Sequence, residues 1–543
     1  MRPATLLLTA LLASPLAAQQ TTPERTGNRE TSSHADVLAF LDSLGRAGAG
    51  IRIRTLGLSP EGRRVPVVIV ARPMVESPGE AHRTGKPIVY VQGNIHAGEV
   101  EGKEALQMLV RDLTVGPLRA LLDSVIVLAV PIYNADGNEQ VGPGETNRPG
   151  QNGPAVVGRR GNGQGLDLNR DYVKQEAPET RAAAALINAW DPDIFIDLHT
   201  TNGSYHGYAL TWAAGLHPDP APANDYARDQ FLPVIRERMR VRHRQETFPY
   251  GNFRNQEPDS LTQGWETYDY RPRYGTNWIG LRGRIAILSE GYSNDPFGER
   301  ISATYNFVRE ILSLAAEERA TIRARNAAPM PTDSVTIRAV LAPPTRQDVI
   351  AELTKPAGDG AGPFAHRTRT GEYRTLAMPV YDRFAPARRE AIPAGYLLPP
   401  SLGHVAELLH HQGVTVERLA APWHGAVERY LVDSITVERY VFEGHRTVRV
   451  EGAWVGAEGS VTAGWYYVST GQRLGRFAAY LLEPGSEDGV LTWNLVDQSL
   501  RRGQHAPIWR VRAELRVSRS VLECSFLTDR RTDGPTDRRP VAF

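Results

Sequence analysis

Between about residue 33 and residue 330 the apolar positions switch repeatedly between a helical spacing and short unbroken runs. Val37, Leu38, Leu41 and Leu44 fall on one face of a helix, so ordered structure is expected to begin near residue 33, after a polar stretch from Gln19 to Ser33. Two strand-like runs follow, Ile51 to Leu56 and Val65 to Ala71, joined by the turn-rich SPEGRR, and they read as a hairpin at a sheet edge. The pattern then alternates: strand Ile88 to Gln92, helix Glu99 to Leu113, strand Val125 to Val130, helix Pro178 to Trp190, strands Ile194 to Leu198 and Arg284 to Leu288, and a helix from Glu299 to Arg325. The runs PIVYV, VIVLAV and IAIL are apolar at every position, as strands buried between helix layers are. This order predicts an α/β fold, with a doubly wound, mostly parallel mixed sheet and helices on both faces.

The segment APMPTDS interrupts both periodicities and reads as a linker near residue 330. Beyond it VTIRAVL, TVRVEG, GWYYV and IWRVRAEL are strand-like, with one helical stretch from His404 to His411, so residues 335–528 are expected to form a β-rich accessory domain. The stretch 529–543 has no apolar period and reads as a disordered tail. At the other end, residues 1–18 join one charge at Arg2 to a short apolar run and small residues ending at Ala18, the pattern of a signal peptide. The run is much shorter than the roughly 20 apolar residues of a membrane span. Residues 19–330 are then the first folded unit of an exported protein, periplasmic or secreted.

Charge and cysteine content narrow the chemistry. The 62 Lys and Arg nearly cancel the 61 Asp and Glu, which gives no electrostatic reason to propose nucleic acid or an anionic membrane as partner. A single cysteine, Cys524, excludes an intramolecular disulfide, a cysteine zinc site and a cysteine nucleophile with local partners. Histidines and carboxylates remain. His-x-x-Glu occurs three times, at His96/Glu99, His243/Glu246 and His404/Glu407, so context must choose among them. His96 directly follows an apolar strand and opens a helix, where open α/β sheets bind ligands, whereas the other two copies read as solvated surface.

A catalytic zinc takes three protein ligands and leaves a fourth position for water. His199 ends the strand IFIDLHT and would emerge at the same sheet edge as His96; a buried, hydrogen-bonded histidine is the competing reading. A metal-bound histidine needs an outer acceptor to fix its tautomer, and Asp167 or Asp197 could serve. Asn169 and Arg170 set a neutral donor beside a planar fork that suits a carboxylate, or else a structural ion pair. Glu290 ends RIAILSE at the same edge and is either a loop cap or a base for a zinc-activated water.

Taken in order, HAGE, NADG, GLDLNRDY, IDLHT and ILSEGY resemble the zinc carboxypeptidase family of the carboxypeptidase A and B type, over about Ser33 to Arg325. The resemblance implies one Zn²⁺ per chain held by His96, Glu99 and His199, with Glu290 as general base and Asp167 as the outer partner of His96. It implies that Asn169 and Arg170 grip the terminal carboxylate of a peptide substrate. Arg160, in preference to Arg159, is the candidate for polarising the scissile carbonyl, and Tyr274 the candidate for the family's mobile tyrosine. The implied activity is removal of C-terminal residues. Two alternatives remain open on the sequence: an amidase acting on acylated amino acids or cell-wall peptides, and a metal-containing binding protein without catalysis.

Overall fold

The computed structural model describes residues 19–48, 50–356, 367–496 and 500–522. The leader reading at 1–18, the tail reading at 529–543 and Cys524 lie outside the described residues. Eight strands form the central sheet: β1 (Ile51–Leu58), β2 (Arg64–Val70), β3 (Ile88–Gly93), β4 (Ile126–Val130), β5 (Ile194–Thr200), β6 (Leu210–Ala214), β7 (Thr247–Pro249) and β8 (Ile285–Gly291). Their spatial order is β1-β2-β4-β3-β5-β8-β6-β7. The centre, β4-β3-β5-β8, is parallel throughout, while β1, β2 and β6 join by antiparallel pairing. The α/β reading with a mixed sheet is therefore met, and β1 lies at the edge where the hairpin was expected.

Alternate residues of each central strand feed opposite faces, as the strand period of two requires. Val89, Val91, Ile194 and Ile196 pack with Leu106, Leu109, Ile311 and Leu312 of the helices Glu101–Thr114 and Phe297–Glu317. Ile88, Tyr90 and Phe195 point the other way, against Ala183, Ile187 and Trp190 of Pro178–Trp190. That second core continues without a break into Val335, Leu398, Leu409, Phe477 and Leu481, so the C-terminal region covers one face of the assembly. Its own seven-stranded sheet pairs neighbours antiparallel throughout. A second link is backbone pairing: the short strand Trp265–Glu266 runs parallel to Arg367–Tyr381.

Four local expectations need correction. Order begins well before residue 33: Thr21 and Glu24 form a capping box on the short helix Thr22–Thr26, and Ser32 donates through N and Oγ to the buried Glu104 carboxylate. These are polar contacts, which an apolar period cannot report. On the helix His34–Arg46 the buried face is Val37, Phe40, Leu41 and Leu44, so Phe40 takes the place given to Leu38. The long helix after β8 is two, Phe297–Glu317 and Arg319–Ala327, meeting at Glu318. His243 is not simply solvated: its Nε2 lies 2.8 Å from Oε1 of the buried Glu310.

Candidate metal centre

The site forms where parallel strands β3, β5 and β8 end side by side, and residue register explains which side chains meet. Glu290 on β8 pairs with His199 on β5, and Gly93 at the end of β3 pairs with Leu198. After Gly93 the chain turns through Asn94 at φ +65°, a left-handed conformation that asparagine tolerates better than most residues. The Asn94 amide donates to the carbonyls of Ala97 and Glu99, and Glu99 N–H donates to His96 O at 2.9 Å. This knot delivers His96 and Glu99 to the sheet edge just before the helix Glu101–Thr114 begins.

His96 Nδ1 lies 3.1 Å from Glu99 Oε1, and His199 Nδ1 lies 2.9 Å from Glu99 Oε2. The ligand atoms of the three residues all fall within 4.8 Å of one another, and all three residues are buried. The opposite ring nitrogens face carboxylates: His96 Nε2 is 2.9 Å from Asp167 Oδ1, and His199 Nε2 is 3.1 Å from Asp197 Oδ2. Both candidate aspartates therefore lie against a ring, Asp167 at His96 and Asp197 at His199, where the Asn169 amide nitrogen also stands 3.2 Å from Nε2. An imidazole whose Nε2 carries the proton presents a bare Nδ1 lone pair, and His96, with Nε2 against Asp167, sets that lone pair against the lone pairs of Glu99. A cation bound among them, or a proton on a ring nitrogen, relieves that repulsion.

The electrostatics agree with a demand for positive charge. Burial opposes ionisation of Glu99, yet His96, Arg148 and His199 hold its carboxyl well below the usual range. Burial likewise opposes charging His199, but Asp197 and Glu99 raise its imidazole well above the ordinary value. Two nitrogens and one carboxylate oxygen, with outer acceptors fixing the ring tautomers, are a donor set suited to zinc. The residues present fit the metal.

Glu290 is 9% exposed and lines a cavity of about 230 Å³ together with His96, Glu99, His199, Arg160 and Asn169. Burial, reinforced by the carboxylates of Glu99 and Asp197, pushes its carboxyl up to about 8 when no cation is present. A divalent cation beside it acts in the opposite sense and favours the carboxylate.

Asp167 opens a 3-10 turn, Leu168–Arg170, and its side chain accepts from Asn169 N–H at 2.9 Å. Asn169 Oδ1 accepts from Gly275 N–H, which turns the amide toward the metal cavity. Arg170 donates to Asn169 O, lies 4.1 Å over the Tyr274 ring, and has Asp167 at 3.9 Å as an ion-pair partner. Most of its fork is thus open to the cavity. Arg160 donates from Nε to Asp167 Oδ2 at 2.9 Å and reaches within 3.6 Å of Glu99, whereas Arg159 is exposed and does not line the cavity. The nine sequence-predicted site residues are brought together.

Several lining residues escaped the sequence reading. Tyr250, Tyr268, Thr276 and Leu288 join Tyr274 on the cavity wall, with Tyr268 edge-on to both other tyrosines at 5.6 and 5.3 Å. Leu288 was visible two residues before Glu290, on the same face of β8 by strand alternation. Arg148 also escaped notice; it lies 3.3 Å from Glu99 and donates to the carbonyls of Thr200 and Thr201.

Residues 37–272 match the family model described as zinc carboxypeptidase, a match that ends before Glu290. Among curated proteins, Carboxypeptidase 2 of Trichophyton rubrum is 23% identical over 509 residues, covering 87% of this chain and 85% of that protein. Carboxypeptidase D of Mus musculus is 30% identical over 155 residues, which is 24% of this chain and 11% of that protein. A solved metallo-carboxypeptidase from Burkholderia cenocepacia is 18% identical with a TM-score of 0.38, covering 53% of this chain and 70% of its own.

Proposed function

We propose that this chain, whose residues 37–272 match the zinc carboxypeptidase model, removes the C-terminal residue of a peptide with its own residues in the following roles. The observation that carries the reading is the convergence of His96, Glu99 and His199 on one point beside the buried carboxylate of Glu290. His96, Glu99 and His199 would hold a zinc ion, which would supply Lewis acidity and lower the pKa of a bound water.

Arg170 and Asn169 hold the substrate's terminal carboxylate, the former through its open fork and the latter through its amide N–H. Arg160 donates to the oxygen of the scissile carbonyl as negative charge develops there. Glu290 accepts the proton of the attacking water at its carboxylate and passes it to the departing amide nitrogen. Tyr274, stacked under Arg170, closes the side of the cavity and limits access of bulk water.

The same reading assigns 19–330 to the catalytic unit, 335–528 to an accessory unit and residues 1–18 to an export signal; N-terminal sequencing of exported protein tests the last. Among the described residues no helix is long and apolar enough to cross a membrane.

Elemental analysis of purified protein, paired with mass spectrometry of peptide digests with and without chelator, tests the whole. One zinc per chain and chelator-sensitive loss of single C-terminal residues is the expected result, and a metal-free active protein overturns it. Glu290→Gln is expected to keep its zinc and lose turnover roughly a hundredfold to ten-thousandfold. Undiminished turnover would remove Glu290 from the mechanism.

A further inference from the structure

A hairpin from the C-terminal region reaches the substrate clamp. Strands Trp423–Val437 and Val448–Val461 pair antiparallel, and beyond their last registered pair, Val437 with Val448, the two chains continue toward the metal domain. At the tip, Phe442 and His445 exchange both backbone hydrogen bonds, at 2.8 and 3.0 Å, which leaves a two-residue turn of Glu443 and Gly444. Both turn residues have positive φ, +49° and +81°. Such a turn favours asparagine or aspartate before glycine, and a glutamate in that conformation is strained.

The strained side chain has a specific partner. Glu443 Oε2 accepts from the backbone N–H of Asp167 at 3.1 Å. The Asp167 carboxylate is already committed to His96, Arg160 and Asn169 N–H, so the Glu443 bond fixes the main chain of the segment that carries Asn169 and Arg170. Neighbouring contacts seat the tip: His445 Nε2 lies 2.7 Å from Glu176 Oε1, and Arg273 packs over the rings of Phe442 and Trp493. Between hairpin and metal domain lies a cavity of about 470 Å³, to which Arg170, Tyr274, Phe442 and Arg449 contribute. Arg170 and Tyr274 line both this cavity and the one at the metal centre.

We propose that Glu443 is a positioning residue for the carboxylate clamp, so that the C-terminal region sets substrate affinity by fixing the main chain at Asp167. The inference rests on the reading of Arg170 as the group that holds the substrate carboxylate. It gives the C-terminal region a part in recognition and accounts for a glutamate where the turn itself favours a shorter residue.

The distinguishing variant is Glu443→Asn, which suits the turn better but is too short to reach Asp167. It is expected to raise KM for free-carboxylate peptides, and the inhibition constant of the product amino acid, by about fivefold to tenfold. Turnover number should hold within about twofold and thermal stability should not fall. Glu443→Gln keeps a carbonyl acceptor and should stay near the parent protein. Unchanged KM and inhibition constant in Glu443→Asn, while Arg170→Ala raises both, overturn the positioning role. If Arg170→Ala also leaves both unchanged, the clamp reading itself falls, and the inference with it.

Discussion

Asp197 is the smallest lever on the metal centre. Its Oδ1 is fixed by the Gln92 amide at 3.0 Å, and its Oδ2, the atom nearest His199 Nε2, has no aligned hydrogen-bond partner among the described residues. An outer carboxylate of this kind orients the ring and raises its basicity, and loss of such a partner lowers metal affinity about tenfold to a hundredfold. Asp197→Asn is therefore expected to release zinc at lower chelator concentration, read by competition titration; an unchanged titration would show that His199 needs no outer acceptor. The residues legible in the sequence were those whose position is set by a strand end: His96, His199 and Glu290 each close an apolar run. Tyr250 and Tyr268 were not legible because they come from the irregular stretch between β7 and β8, where no period indicates which side chain turns inward. Arg148 was hidden for the same reason, in a loop ahead of the segment that carries Asn169 and Arg170.

Among the elements, the helix Glu101–Thr114 decides where Glu99 stands. It approaches the sheet closely because two glycines face each other: a Cβ at Gly102 would lie 2.8 Å from Leu198 Cβ, and one at Gly93 would lie 2.9 Å from the Gly102 carbonyl carbon. Glu101 in its first turn accepts from Thr200 Oγ1 at 2.6 Å, where the helix dipole favours an anion. Gly102→Ala must push the helix off β5 and carry Glu99 with it, at a cost of about 1–3 kcal/mol for overpacking. Chemical denaturation should report that loss together with weaker zinc binding, with Gly50→Ala, whose added Cβ meets nothing within 4 Å, as the neutral control. A Gly102→Ala protein with parent stability and parent zinc affinity would show that the helix seat does not govern the site. The element pattern foretold this helix and its strand within two residues at either end, because both are long apolar periods. It passed over β6 and β7, five and three residues long.

The whole molecule is held by a core that crosses from the sheet into the C-terminal region, and this docking left no trace in the sequence because contact between distant runs creates no period. Two buried histidines sit along the junction. His206 bridges Ala351 through the backbone and packs against the tilted Tyr292 ring, and His217 Nε2 lies 3.0 Å from Thr336 O. Burial holds His206 down to about 3, and the positive charge of Arg369 acts in the same sense. Burial holds His217 down to about 4, partly offset by Asp219 and assisted by Arg476 and Arg389. In the unfolded chain both imidazoles protonate near pH 6.5, while the folded protein keeps them neutral until much lower pH. Between those values the unfolded state binds more protons, so stability falls as pH drops from about 6.5 toward 4. Each histidine should account for about 2 kcal/mol of loss by pH 5. His217→Gln cannot take up a proton and keeps a donor for Thr336 O, so its thermal midpoint should fall less steeply between pH 7 and pH 5 than that of the parent. Parallel curves for the two proteins would mean that His217 does not carry the acid sensitivity of the junction.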